Sequence, residues 1–341
     1  MSDRQTLAAH FLDANGWRNG TVTLLAGDAS NRKYFRVRDV DGHPNAVLMD
    51  APEDRGEDVR PFIDIANALI AQDLSAPQIY AQDIANGFLL LEDLGDDLFS
   101  TICARDGSQE PTLYQAATDV LIALHAAAPP QLETYTPTLM ADLAAQSVDW
   151  YALGRETSKG SDKRAILKSA IEDALRPSAD EFTVTILRDY HAQNLLWLPE
   201  RNGPARVGLL DFQDAMIGHP TYDLVSLLQD ARRDVSQQTQ AATLDYFISE
   251  SGFDPQHTRQ AYTAMGIQRN LRILMVFARL SLHFGKMEYV DLIPRTWAHL
   301  QNNLAQPGFE ALQDAVTQAL PEPTETHLME LKEKCGTHPT R

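Results

Sequence analysis

Apolar positions in the first quarter of the chain form short alternating or continuous stretches, a pattern typical of β-strands. These stretches occupy residues 22–25, 34–38, 46–49, 79–81 and 88–91. Asp41 and Gly42 supply a tight turn between the second and third of them. The pattern predicts an antiparallel meander, preceded by an amphipathic helix over residues 2–15.

From residue 111 onwards, apolar positions recur at the three- and four-residue spacing of helices. A strongly apolar stretch over residues 268–280 also carries Arg269, Arg272 and Arg279 near one face. These arginines either contact a carboxylate or phosphate group of a substrate or extend from a core helix to solvent. The charged, proline-containing residues 322–341 are predicted to form a flexible tail.

Two β-type stretches, residues 194–198 and 207–210, flank a polar segment that contains proline and glycine. This pattern predicts a hairpin with a longer loop. Because Asn194 enters the first strand and Asp211 leaves the second, antiparallel pairing brings both to the same end. Asp189 lies five residues before Asn194. Two aspartates and an asparagine form a hard oxygen site suited to Mg²⁺.

The composition is that of an ordinary soluble protein: 341 residues, 44% hydrophobic and 22% charged. The net charge of −18 disfavours nucleic-acid and anionic-membrane partners but permits a nucleotide bound with Mg²⁺. Cys103 and Cys335 have no metal-binding spacing, which fits a reducing compartment. With no signal segment and no membrane-spanning run, we expect a cytoplasmic protein. The oligomeric state is left open.

The pattern Asp189-x-x-x-x-Asn194, followed by the strand-borne pair Asp211-Phe212, resembles the catalytic and metal-binding loops of protein kinases and related small-molecule kinases. The sequence D-Y-H-A-Q-N and the segment over residues 210–228 resemble those of the aminoglycoside phosphotransferase and choline kinase superfamily. Within it, they resemble especially the anomeric N-acetylmuramate/N-acetylglucosamine kinases of bacterial cell-wall recycling. The same resemblance is carried by the spacing of Asp28, Ala29, Ser30, Arg32, Tyr34 and Arg36.

The resemblance implies a bilobal, protein-kinase-like α+β fold. A small antiparallel β lobe, residues 1–92, would bind the nucleotide, and a larger, mainly helical lobe, residues 93–321, would carry catalysis and the substrate. The implied reaction is Mg²⁺-dependent transfer of the ATP γ-phosphoryl group to a sugar or amino-sugar hydroxyl, the anomeric hydroxyl in the first instance. The alternatives are an aminoglycoside or other small-alcohol phosphotransferase, and a non-catalytic nucleotide-binding relative.

The resemblance also assigns roles to individual residues. Asp189 would accept the proton of the acceptor hydroxyl, and Asn194 and Asp211 would hold Mg²⁺. The loop that carries Ser30, Arg32 and Lys33 would cover the ATP phosphates. Glu92 and Leu94 mark the hinge whose backbone would bind adenine.

The sequence departs from the kinase pattern at Met49, which stands where the third strand normally carries a lysine that holds the phosphates. The helix predicted over residues 59–71 contains only Asp64 as an acid. Either the protein is an inactive relative, or Arg32 or Lys33 supplies the cation. The intact metal-binding residues favour the second explanation.

Two residues near these motifs have less specific interpretations. His191 either orients the loop that carries Asp189 or contacts the substrate. Asp223 is predicted to cap a helix and to brace the same loop, a structural role.

Overall fold

An antiparallel sheet of five strands organises the first part of the chain. In the computed structural model, which describes residues 3–27, 31–153 and 160–338, the strands are Thr21–Gly27 (β1), Lys33–Arg38 (β2), Ala46–Asp50 (β3), Ile79–Asp83 (β4) and Phe88–Glu92 (β5). Their spatial order is β1-β2-β3-β5-β4. The predicted meander therefore forms, with β5 inserted between β3 and β4.

The central strand of this sheet, β3, places side chains on both faces of the sheet. Every residue of β3 is buried, because both of its faces are covered. On one face, Leu48 joins Val37 and Leu90 in a core cluster with Phe11 of the first helix, Asp3–Ala14 (α1). Since successive side chains of a strand alternate, Met49 points to the other face.

The described chain also contains four short strands and twelve further α-helices, besides five short 3₁₀ helices. The strands are Val184–Ile186 (β6), Leu195–Trp197 (β7), Val207–Leu209 (β8) and Met216–Gly218 (β9); β6 pairs with β9 and β7 with β8, both antiparallel. The helices are Arg60–Ile70 (α2), Phe99–Arg105 (α3), Glu110–Ala126 (α4), Pro137–Ala145 (α5), Ser147–Trp150 (α6), Gly160–Leu175 (α7), Thr221–Leu228 (α8), Gln237–Ser251 (α9), Pro255–Leu282 (α10), Ile293–Leu304 (α11), Glu310–Ala319 (α12) and Glu325–Glu333 (α13). None of these helices, in the part of the chain that the structure describes, has the length and apolar character needed to cross a membrane.

The chain divides into two units. Unit 1 comprises Met1–Ala127 and Ala192–Ala215, and unit 2 comprises Ala128–His191 and Met216–Arg341. The sequence placed the boundary after residue 92 instead. Unit 1 extends further because the β7–β8 hairpin packs on the segment that follows β5. Leu98 forms a β-bridge with Leu196, and the ring of Phe99 meets that of Trp197 at a centroid distance of 6.3 Å.

Helix α10, with 28 residues, runs through the core of unit 2. It begins at Pro255, where the side chain of Asp254 accepts a hydrogen bond from the backbone N–H of His257 at 2.7 Å. A proline in the first turn and an aspartate cap are standard start signals. Because α10 is buried on most sides, Arg269 lies in the interior rather than on an open helix face.

Part of the segment after residue 321 forms the helix α13, so the prediction of a flexible tail was wrong there. The hydroxyl of Tyr151 donates to the carbonyl oxygen of Pro321 at 2.9 Å. His327 and Leu331 lie one helical turn apart in α13 and are both buried. The charged composition of the segment hid this apolar face.

Candidate active site

The predicted hairpin forms and brings Asn194 and Asp211 together. Leu195 of β7 lies opposite Leu209 of β8, and the backbone N–H of Leu210 donates to the carbonyl oxygen of Asn194 at 3.0 Å. Beyond this pair, Asn194 Nδ2 donates to Asp211 Oδ2 at 3.4 Å. The two residues predicted to bind a metal are therefore neighbours at one end of the hairpin.

Asp211 adopts a backbone conformation that is uncommon for a non-glycine residue. Its φ is +57°, in the left-handed region that costs about 1–2 kcal/mol and clusters at functional sites. Gln213 Nε2 donates to Asp211 Oδ1 at 2.8 Å. The adjacent Phe212 is buried and packs on Phe62 with ring centroids 4.8 Å apart. These contacts fix the direction of an exposed carboxylate.

The side chains of Asn194 and Asp211 fit Mg²⁺, which prefers oxygen ligands and is commonly bound through one or two protein side chains together with substrate phosphates. Within residues 3–27, 31–153 and 160–338, no group of three or more histidine, cysteine, aspartate or glutamate side chains could hold a metal by itself. The role of Asn194 and Asp211 as ligands stays a prediction.

A buried carboxylate holds the backbone that leads to Asp189. Asp223 of α8 is fully buried and accepts hydrogen bonds from the backbone N–H groups of Leu187 at 2.5 Å and Arg188 at 2.9 Å. Arg188 itself has a φ of +69°. The predicted brace is confirmed. The predicted helix cap is wrong, because the cap position is Pro220 and both oxygens of Asp223 serve the loop.

Burial also changes the titration of Asp223. It raises the pKa of this carboxyl group to about 7, although the two backbone N–H donors favour the charged form. Asp189, which these contacts position, is half-buried, and its own backbone N–H donates to the carbonyl oxygen of Leu187 at 2.9 Å. Hydrogen bonds therefore hold the backbone that leads to Asp189.

His191 is buried, with only 5% of its surface exposed. Its Nε2 lies 3.4 Å from Nη1 of Arg232. Burial lowers the pKa of His191 to about 4; Asp230 opposes this effect and Arg232 adds to it. A neutral, enclosed imidazole supports the interpretation that His191 orients the loop and does not contact the substrate.

Arg32 forms an ion pair that the sequence did not reveal. Its Nε lies 2.6 Å from Glu57 Oε2, and 16% and 10% of the two side chains are exposed. The backbone N–H of Asn31 donates to the other oxygen of Glu57 at 2.9 Å. Glu57 was missed because it precedes α2, whereas kinases carry the corresponding glutamate within that helix. The structure thus contains a cation–glutamate pair that could replace the absent one.

Lys33 lies on the opposite face of the sheet from Met49. Lys33 is paired with Asp50 in the strand register, and alternation places both on the face of Leu48. There Lys33 lines a cavity of about 640 Å³ beside α1. Which of the two cations contacts the triphosphate stays a prediction. Ser30 lies outside the described residues.

A buried arginine anchors the predicted hinge. Arg36 of β2 is 5% exposed, and its guanidinium group contacts Asp93 and Asp96, each at 2.8 Å. It also donates to the carbonyl oxygen of Gly95 at 3.1 Å. The sequence motif contained Arg36 but gave no hint of its partners, because they lie about sixty residues away.

At the predicted hinge, the side chain and the backbone N–H of Glu92 both have partners. Glu92 Oε1 pairs with Arg201 Nη2 at 2.5 Å, and the backbone N–H of Glu92 donates to Gln78 at 2.8 Å. In the part of the chain that the structure describes, no hydrogen bond uses the backbone N–H of Leu94. The role of Glu92 and Leu94 in adenine binding stays a prediction.

The three arginines predicted on one face of a helix have different environments in α10. Arg269 is buried, Arg272 is half-buried, and Arg279 is exposed. The guanidinium group of Arg279 lies 5.7 Å from the ring centroid of Phe284. Extension of the head group to solvent therefore describes Arg279 alone.

Comparison of the sequence with known proteins gives consistent matches. The family model described as "Phosphotransferase enzyme family" matches residues 21–261. An N-acetylmuramate/N-acetylglucosamine kinase of Caulobacter vibrioides is 39% identical, over 92% of this chain and 95% of that protein. Proteins of the same name from Pseudomonas putida and Neisseria meningitidis are 33% and 29% identical, over 84% and 83% of this chain and 85% and 86% of their own.

Solved structures with a similar fold include choline kinase LicA from Streptococcus pneumoniae, at 13% identity and a TM-score of 0.55, with 96% of this chain and all of that chain covered. The streptomycin-ATP-APH(2")-IIa ternary complex matches at 12% identity and a TM-score of 0.59, over 89% of this chain and 96% of that chain. At these identities the likeness concerns the fold alone. It confirms the protein-kinase-like α+β fold expected from the sequence.

Proposed function

The chain belongs to the phosphotransferase enzyme family, and from this premise we propose that it transfers the γ-phosphoryl group of ATP to the anomeric hydroxyl of N-acetylmuramate or N-acetylglucosamine. The observation that carries the proposal is the 39% identity with the Caulobacter vibrioides kinase, which extends over 92% of the chain. ATP as the phosphoryl donor follows from membership in a family of kinases. The anomeric position is the finer part of the proposal.

Asp189 accepts the proton of the sugar hydroxyl in the proposed reaction. As the proton leaves, the hydroxyl oxygen bonds to the γ-phosphorus, the bond from that phosphorus to the bridging oxygen breaks, and ADP departs. Such a step needs a carboxylate in a fixed position. The hydrogen bonds from Leu187 and Arg188 to Asp223, which hold the preceding backbone, support this assignment.

Asn194 and Asp211 are the proposed Mg²⁺ ligands. When bound, Mg²⁺ neutralises charge on the phosphate oxygens. The neighbouring positions of these two side chains and the strained backbone of Asp211 support the proposal. The amide oxygen of Asn194 and the carboxylate of Asp211 would supply the oxygen ligands that Mg²⁺ prefers.

Arg32 is the proposed cation for the triphosphate. Glu57 would hold its guanidinium group, as the helix glutamate holds the strand lysine in kinases. The backbone of residues 92–94 would bind adenine. This arrangement explains how a chain with Met49 at the lysine position can still be an active kinase.

The proposal is tested by measuring ADP formation by the purified protein with ATP and Mg²⁺ against a panel of acceptors. The panel contains N-acetylmuramate, N-acetylglucosamine, kanamycin, choline and homoserine, with a blank that lacks an acceptor. We expect turnover with at least one of the two amino sugars at a rate well above the blank.

Two other outcomes of this assay would indicate a different function. Turnover with kanamycin alone would indicate an aminoglycoside phosphotransferase. ATP binding without turnover on any acceptor would contradict the proposal and favour a non-catalytic relative.

A further inference from the structure

Two arginines of α10, the buried Arg269 and the half-buried Arg272, have no ion-pairing carboxylate among the described residues. In the described part of the chain, neither Arg269 nor Arg272 takes part in an ion pair. Arg269 donates through Nη2 to Ser226 Oγ at 2.6 Å, but its Nε and Nη1 atoms are buried with no hydrogen-bond partner. Buried donor atoms that lack a hydrogen-bond partner are costly, so these nitrogens mark a place where an anionic ligand can bind.

Arg272 lies one helical turn after Arg269, among aromatic and catalytic groups. The rings of Tyr135 and Tyr222 meet edge to face with centroids 5.5 Å apart, and the guanidinium group of Arg188 lies 5.4 Å from the centroid of Tyr135. Burial opposes the charge of Arg272, but Tyr222, Tyr135 and Asp189 raise its pKa above the ordinary value. Arg272 therefore stays cationic within electrostatic range of Asp189.

We propose that Arg272, with Arg269 behind it, binds the carboxylate of an acidic acceptor sugar and thereby sets the preference for N-acetylmuramate over N-acetylglucosamine. This role of Arg272 rests on the proposed function: the guanidinium group would recognise the carboxylate of the acceptor sugar. N-acetylmuramate differs from N-acetylglucosamine by a lactyl ether on C3, whose carboxylate is the only charge on either sugar. A planar guanidinium group can hold a carboxylate through two parallel hydrogen bonds.

The place of Arg272 fits this role. An acceptor whose hydroxyl reaches Asp189 carries any carboxylate on the same ring into the surroundings of Asp189, which include Arg272. Both arginines also lie beyond residue 261, where the match to the general family ends. Acceptor preference within a broad family is expected to reside in segments of this kind.

Arg269 also has a structural role. Ser226, to which it donates, in turn donates to the carbonyl oxygen of Arg188 at 3.3 Å. A change at Arg269 would therefore disturb the loop that delivers Asp189. The test accordingly addresses Arg272.

The experiment compares kcat/KM for N-acetylmuramate and for N-acetylglucosamine in the wild type, Arg272→Met and Arg272→Lys. Arg279→Met is the matched control, because it removes the same charge from the exposed side of the same helix. We expect Arg272→Met to lower kcat/KM for N-acetylmuramate about 10- to 100-fold, mainly through KM, because a hydrogen bond to a charged group is lost. Activity with N-acetylglucosamine should change less than about 3-fold, and Arg272→Lys should fall between.

Three outcomes would overturn the inference: equal losses with both sugars, which would make Arg272 a positioning residue for Asp189; no loss with either; or the same selective loss in Arg279→Met. If the wild type phosphorylates neither sugar, the proposed function fails separately. Calorimetry of N-acetylmuramate binding to the wild type and to Arg272→Met then tests the carboxylate site. Weaker binding of N-acetylmuramate by Arg272→Met would then support the carboxylate site. Equal or absent binding in both proteins would contradict it.

Discussion

At the scale of single residues, Asp189 carries the chemistry of the proposed reaction. Replacing it with asparagine removes the proton acceptor but keeps the size and most hydrogen bonds of the side chain. We expect Asp189→Asn to lower kcat about 10²- to 10⁴-fold and to leave the Kd for ATP within about 3-fold. A coupled ADP assay and calorimetry measure the two quantities. Undiminished turnover would refute the assigned role.

His191 gives a prediction for the pH dependence of stability. Its pKa falls from 6.5 to about 4 on burial, so between these values the unfolded chain binds a proton that the folded chain does not. The contribution to the free energy of unfolding is present above pH 6.5 and is lost as the pH falls towards 4. The effect is up to about 3 kcal/mol.

The comparison with His191→Gln isolates this effect in urea unfolding at pH 4, 5, 6 and 7. Asp223 acts in the opposite direction, because its raised pKa makes its contribution fall as the pH rises from about 4 to about 7. Asp223 is present in both proteins, so its effect cancels in the difference. The wild type should lose more stability than the variant at acid pH. Parallel curves would show that His191 titrates normally.

Asp223 gives a prediction for the loop before Asp189. In Asp223→Asn, an amide NH₂ group replaces one of two oxygens that accept buried backbone N–H groups, which should cost about 1–3 kcal/mol. The kcat should fall as well, since the backbone of Arg188 loses its support. Asp245→Asn is the control, because Asp245 is paired at the surface with Arg259; it should change stability by less than about 0.5 kcal/mol. Equal effects of the two substitutions would contradict the brace.

At the scale of elements, the segment before β2 supplies Arg32, the proposed cation for ATP, and the segment before α2 supplies Glu57, which pairs with it. Arg32→Met should raise the KM for ATP about 10- to 100-fold, because a charge-assisted contact is removed. Lys33→Met is the comparison: it removes the neighbouring charge, which lies on the face of the sheet opposite to Met49, and should have the smaller effect. Thermal melting of both variants controls for lost stability of the Arg32–Glu57 pair. A larger KM change for Lys33→Met would reverse the assignment.

The same elements show what a sequence can and cannot predict. The β7–β8 hairpin was predictable because strand spacing and a polar loop are local features, and antiparallel pairing then places Asn194 beside Asp211. The pairing of Arg32 with Glu57 was not, because it depends on how two separate segments pack. The helix α13 was missed for a related reason: its buried residues, His327 and Leu331, are few among charged neighbours.

At the scale of the whole molecule, net charge and composition indicate classes of partner but do not locate a binding site. The net charge of −18 argued against polyanionic partners but could not locate a pocket. It also concealed a local excess of positive charge, since Arg269 is buried and Arg272 half-buried in unit 2 of an acidic protein. Motif resemblance predicted the family and the fold, whereas the contacts that position each functional side chain became visible only in the structure.

The most direct test of the central claim is the position of the phosphate on the product. The wild type is incubated with ATP, Mg²⁺ and N-acetylglucosamine, and the product is examined by phosphorus–proton correlation NMR before and after mild acid treatment. The account predicts a phosphate coupled to the anomeric proton and released by the acid. An acid-stable phosphate on another ring hydroxyl would contradict it.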